Sequence, residues 1–111
     1  MNYHNKKFRV KENSENGELE SGLIFHYQQE GKILFCQYSG GSILKGNLLG
    51  MVDENGKIEM TYHQINADFV HSTGTCNSTP LIQDNGKLLL FEKWQWTNGD
   101  KSTGESVLEE I

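Results

Sequence analysis

Glu92, Trp94 and Trp96 stand two residues apart within the stretch 87–97. On an extended strand that spacing puts side chains on one face about 6.8 Å apart, so a carboxylate and two indoles form a single row. Indoles supply flat apolar walls and an N–H for orientation. A carboxylate among them is partly desolvated, and its pKa rises unless a cation or several donors satisfy it. Glu92 is therefore read as an acceptor of ligand N–H or O–H groups, or as a general acid–base. The competing reading has both indoles filling a core and Glu92 paired with a lysine or the lone Arg9. Tyr62, Gln64 and Asn66 form a second, neutral polar row with the same spacing. Buried unpaired, such groups cost roughly 1–3 kcal/mol each, so a ligand, water or a neighbouring strand must meet them.

Other chemistry finds little support. His4, His26, His63 and His71 make no HExxH pair and no zinc-type Cys/His spacing, so no metal site is expected. His63 and His71 flank the segment at Asn66 and would come close across a hairpin. Ser21-Gly22 and Gly104-Glu105-Ser106 are not nucleophile elbows. Gly40-Gly41 is followed by no Walker lysine-serine and no helix, so neither a phosphate loop nor any other cofactor site is expected. Cys36 and Cys76 lack CxxC spacing and are read as reduced, small apolar residues of a cytoplasmic protein. A disulfide between them stays open, because sequence separation does not fix a Cα distance.

The elements that must position these rows are strands. The chain has 111 residues, enough for one domain over 1–111 and too few for two separate cores. It holds one alanine and one proline against 12 glycines and 10 asparagines, which removes the best helix former and enriches the residues that accept positive φ in tight turns. Asn-Gly occurs at 16–17, 55–56, 85–86 and 98–99, and Glu30-Gly31 and Gly40-Gly41 add two reversals. With a turn at Asn66-Ala67-Asp68, seven turns imply eight strands: approximately 6–12, 18–28, 32–39, 42–53, 57–66, 68–79, 87–97 and 101–109. Short connections pair each strand with the next, giving an all-β, antiparallel up-and-down meander. Closing it into an eight-stranded β-barrel removes both free edges and leaves room for filling side chains or one small ligand. A β-sandwich is the second choice.

Alternation assigns faces. In 18–28, Leu19, Leu23, Phe25 and Tyr27 share a side opposite Glu20, His26 and Gln28. Ile58, Met60, Tyr62, Gln64 and Asn66 oppose Lys57, Glu59 and His63. Leu88, Leu90, Glu92, Trp94 and Trp96 oppose Leu89, Phe91, Lys93 and Gln95. Leu44, Gly46, Leu48, Gly50 and Val52 are placed inward, and 32–39 and 68–79 stay ambiguous because both their faces carry apolar residues. A meander then gathers Gln64, Asn66, His71, Trp94, Trp96 and Ser102 at one mouth, with Glu92 one step deeper. The other end collects apolar residues such as Tyr27, Val52, Ile58 and Leu88 and reads as a plug. A polar and aromatic mouth opposite an apolar plug suits a binding site.

The net charge of −5 and pI near 5.3 argue against nucleic acid and anionic membrane as partners. No apolar run approaches the ~20 residues of a membrane span, and Met1 to Val10 is polar and without a secretory core.

Several motifs carry a resemblance. They are Phe8-Arg9 with Asn13-Ser14 and Asn16-Gly17-Glu18, Tyr38-Ser39-Gly40-Gly41, His63-Gln64-Ile65-Asn66, Thr73-Gly74-Thr75-Cys76, and the most specific, Phe91 to Asp100. Over nearly all its length the chain resembles a family of small bacterial proteins often labelled N-acetylglutamate synthase, whose members look like avidin- or calycin-type β-barrels. The resemblance implies a fold and leaves the substrate open. Acetyl transfer from coenzyme A in the familiar acetyltransferases uses an α/β fold with a glycine-rich turn opening a helix. This chain carries neither, which argues against that label.

The leading expectation is a barrel that binds a small organic ligand at its polar mouth, using Glu92, Trp94 and Trp96 as one wall and Tyr62, Gln64 and Asn66 as polar contacts. The alternatives are a small isomerase, lyase or hydrolase with Glu92 as acid–base, and a structural module that forms homo-oligomers through outward residues such as Leu89 and Phe91. A homo-oligomer is compatible with either ligand reading.

Overall fold

The structure, a computed structural model, describes residues 1–15, 17 and 23–111. Its strands are β1 (Lys7–Asn13), β2 (Ile24–His26), β3 (Gln28–Glu30), β4 (Ile33–Gly40), β5 (Ile43–Val52), β6 (Ile58–Asn66), β7 (His71–Ile82), β8 (Leu88–Trp96) and β9 (Thr103–Glu110). All pairings are antiparallel, in the order β2-β1-β9-β8-β7-β6-β5-β4-β3. The result is a nearly closed meander barrel, and the sandwich is not formed.

Among the described residues nine strands stand where eight were expected, because the second is broken at Tyr27. Its first half pairs with β1 and its second half with β4. At the break Tyr27 turns its backbone to the chain ahead of β1: its N–H donates to the Lys6 carbonyl and its C=O accepts from Asn5 N–H. One bent segment thus joins the two ends of the sheet, which is how the barrel closes. Leu19 and Glu20, expected at the start of this strand, and the Asn16 half of the first turn lie outside the described residues.

The remaining turns fall as the dipeptides predict. Gly56, Gly86 and Gly99 all have positive φ, from 68° to 84°, while the asparagine before each does not. Each is thus a turn that ends in one left-handed glycine instead of two left-handed residues. The Asn66 turn instead puts Phe69 at φ 60°, with the Asn66 side-chain oxygen accepting the N–H groups of Asp68 and Val70.

One face assignment is corrected. Leu44 points outward and is 49% exposed, while Ile43 is buried. The β5–β6 ladder shifts between Ile43 and Lys45, and such a bulge inserts one residue and reverses the alternation before it. From Gly46 onward the inward set is as expected.

The apolar end is sealed more thoroughly than the strand pattern suggested. Tyr3 is fully buried beside Phe8 and Tyr27, with ring centroids 6.2 Å from each. Its hydroxyl donates to the Gly56 carbonyl across the barrel end. Burial, aided by the negative charge of Asp53, pushes this phenol up to about 12. Tyr3→Phe keeps the packing but leaves that carbonyl unpaired, and a loss of about 1–2 kcal/mol is expected in urea unfolding. An unchanged midpoint would show that the hydroxyl contributes nothing to the seal.

Candidate functional site

Alternation along β8 sends Glu92 and Trp94 into the barrel, 7% and 8% exposed, with Trp96 half-buried above them. On β6 the same rule brings Tyr62 and Gln64 inward. Five of the six expected ligand-binding residues, namely Glu92, Trp94, Trp96, Tyr62 and Gln64, line one cavity. Asn66 is not among its lining residues; its side chain is used in the turn that follows β6. His71 does not line the cavity either, although it borders a second depression at the rim with Gly17 and Trp96. It lies on the outer face, its Nε2 3.4 Å from Nδ1 of His63. That is the cross-hairpin proximity expected for the pair, and no cluster of three or more potential metal ligands occurs among the described residues.

Glycines decide why the aromatic rings leave space between them. Tyr38 on β4 lies over Gly46 on β5, Tyr62 on β6 over Gly74 on β7, and Trp94 on β8 over Gly104 on β9. A Cβ at any of these glycines would overlap the ring. In each case the glycine stands directly opposite the aromatic in the strand ladder. A strand glycine of this kind marks a close approach. Here the approach lets a large ring lie flat along the wall instead of projecting across the lumen. The rings then stack edge-on in sequence: Tyr62 on Trp96 at 5.6 Å and 70°, and Trp96 on Trp94 at 5.5 Å and 60°. The cavity left inside is narrow. About 40 Å³ is open to the centre of a water molecule, room for roughly three waters.

Polar groups are held in fixed directions. Trp94 Nε1 donates to Ser106 Oγ at 2.8 Å, and Ser106 Oγ donates onward to Asn13 Oδ1 at 2.6 Å. Tyr38 donates to Gln64 Oε1 at 2.8 Å. These bonds fix the walls and leave Glu92 as the ionisable carboxylate of the cavity. It pairs in register with Ser78 on one side and Ser106 on the other. Burial pushes its carboxyl up to about 7, with Ser78 and Cys76 opposing the shift by hydrogen bonding toward it. The Ser78 hydroxyl is buried yet reaches no acceptor or donor in full hydrogen-bond geometry, so its contact with Glu92 is a loose one. Burial also raises Cys76 and Tyr27 above their usual ranges, and the nearness of Glu92 adds to both.

The alternative partners for Glu92 are excluded. Arg9 Nε sits 2.6 Å from Glu109, and Lys6 bonds Glu110 at 3.3 Å. No lysine, arginine or histidine lines the cavity among the described residues. Cys36 and Cys76 are both buried free thiols.

Sequence reading missed Tyr38, Cys76, Ser78 and Ser106. Tyr38 and Cys76 lie on the two strands whose faces were ambiguous. Ser78 and Ser106 become visible only through the ladder, where they flank Glu92. The pairing of each aromatic with a glycine was the available signal, since Tyr38 and Gly46 are equidistant from the reversal at Gly41-Ser42 to within one residue.

The family model described as avidin-like protein matches residues 1–111. No curated protein and no solved structure matches the chain.

Proposed function

Because the chain belongs to the avidin-like family, we propose that its barrel binds a small organic ligand in the cavity walled by Trp94, Trp96 and Tyr62. The observation that carries this reading is a buried carboxyl set in an aromatic cavity that the chain's own glycines keep open. A core built only for stability has no use for a desolvated acid without a counter-charge, since replacing it by an apolar residue would remove the desolvation cost. Binding is favoured over catalysis because, among the described residues, no second group beside Glu92 stands ready to relay a proton. Cys76 and Tyr27, two of the ionisable side chains that share the cavity with Glu92, are both held further from ionisation than in water.

Native mass spectrometry of the protein purified from its own host tests the reading. A reproducible co-purifying mass is expected, lost in Trp96→Ala, a truncation of a half-buried ring that leaves the deeper core in place. A bare polypeptide mass, with no small molecule shifting the thermal midpoint, would sink it.

Assembly into a homo-oligomer accompanies this proposal. Ile33, Leu49 and Met51 are each at least half exposed on the outer face of β4 and β5, and Phe91 is exposed on β8. Sedimentation at two concentrations should show a species heavier than the 12.6 kDa chain, and a strict monomer at both would count against it.

A further inference from the structure

We propose that the cavity selects a primary ammonium group on a slender organic stem, with Glu92 as its counter-ion; this rests on the binding reading above and names its ligand class. Four features of the site converge on it. The Glu92 carboxyl is buried, and no basic side chain among the described residues lines the cavity to neutralise it. The residues outside the description (16 and 18–22) contain no lysine, arginine or histidine either. A cation must therefore come from the ligand, or the acid must stay protonated.

The walls suit a cation. Phe25, Tyr27, Tyr38, Tyr62, Trp94 and Trp96 surround the space, and aromatic faces attract a positive charge within about 6 Å, most strongly when it is desolvated. Of the hydrogens these walls carry, the Tyr38 phenol's and the Trp94 indole's are already given to Gln64 and Ser106, and an anion would in addition meet the charge of Glu92.

The hydrogen-bond inventory suits an ammonium. Three donors leave a –NH₃⁺ group. Glu92 accepts at two oxygens, and the buried Ser78 hydroxyl opposite it lacks a partner in full geometry. Ser106, on the other flank, has its hydrogen directed to Asn13. Size completes the choice. With about 40 Å³ open to a water centre, a water-sized ammonium enters where a planar guanidinium or a quaternary ammonium would not.

The pH behaviour follows, among the described residues, from every group facing Glu92. Cys76 faces it from β7, Tyr27 from the bend between β2 and β3, and Tyr38 and Tyr62 present phenols from β4 and β6; β5 and β9 contribute no titratable side chain to the cavity. Cys76 and Tyr27 are held above their usual ranges, and phenols ionise near 10 in water. Below pH 9 the carboxyl is therefore the group that changes charge, while an alkylammonium, close to lysine's value of about 10.4, stays protonated.

The test uses n-butylamine, n-butanol and butyrate on the full chain, with indole fluorescence and calorimetry from pH 5.5 to 8.5. Butylammonium should bind at pH 8 at least tenfold more tightly than butanol. Its affinity should fall toward tenfold per pH unit below about 7, where Glu92 takes up a proton. Glu92→Gln should bring amine and alcohol to equal affinity, and Ser78→Ala should weaken the amine alone by several-fold. The wild-type pH profile needs no variant and stands even where one fails to fold. Butanol binding as tightly as the amine at pH 8, or butyrate binding best, would overturn the ammonium assignment while leaving the cavity a binding site. None of the three binding would overturn it as well. If the native mass were also bare, the binding reading would fall with it.

Discussion

Glu92→Gln is expected to flatten the pH dependence of stability in the unliganded protein, removing a loss of about 3 kcal/mol that the wild type suffers between pH 5 and pH 8. The carboxyl's ordinary value is 4.5 and burial in the folded chain lifts it to about 7. The folded state thus holds its proton more tightly than the unfolded state does. Stability is full below about 4.5, falls as pH climbs through the interval, and levels off above about 7. A difference near 2.5 pH units corresponds to on the order of 3 kcal/mol, a large share of the 5–15 kcal/mol typical of a domain. Glutamine keeps the shape, can hydrogen-bond Ser78, and does not ionise. Urea unfolding of both proteins at pH 5 and pH 8 reads the effect directly. Parallel losses in the two would mean that Glu92 ionises as readily inside the folded barrel as in the unfolded chain, and the case for a desolvated carboxyl that a cation must neutralise would go with it. A confirmed loss has a functional meaning, because the free energy that ionisation costs the empty barrel is what a cationic ligand can return.

Much of this arrangement was legible in the sequence because period-two alternation is unambiguous where one strand face is polar. On β8, Lys93 and Gln95 stand outside and fix Glu92, Trp94 and Trp96 inside; on β6, Glu59 and His63 do the same for Tyr62 and Gln64. The glycine of each turn fixed where strands end, and the Phe91 to Asp100 motif pointed to the right family. Three things were hidden. The break at Tyr27 arises from closure, where one segment must serve two partners, and no local residue announces it. The bulge at Ile43 to Lys45 reversed Leu44, since alternation assumes an unbroken ladder. Asn66 was assigned to the cavity by alternation, whereas an asparagine at a strand's last position is drawn into the turn it begins. The flanking of Glu92 by two serines depends on ladder register, which becomes a fact only once the strands are paired.

Trp94 and Gly104 should behave as one unit in a double-mutant cycle, and the singles should be among the most damaging substitutions in the barrel. Trp94 is 8% exposed and its Nε1 is hydrogen-bonded to Ser106. Trp94→Ala is expected to cost about 3–5 kcal/mol through the lost contacts and the void it leaves. Gly104→Ala places a methyl where the six-membered ring of the indole now lies. Neither partner can yield easily, because the ring is held at its other end by Ser106 and by Trp96 at 5.5 Å. Overpacking of this kind costs about 1–3 kcal/mol, and it should also tilt Trp94 into the cavity and abolish ligand binding. Once the indole is gone, the methyl introduced by Gly104→Ala projects into vacated space. The double variant should then be no worse than Trp94→Ala alone, a coupling of about 1–3 kcal/mol. Strict additivity in urea unfolding would show that the glycine is not there to seat the ring. A Gly104→Ala protein that retained its ligand would show that the open lumen does not depend on the aromatic lying flat against the wall.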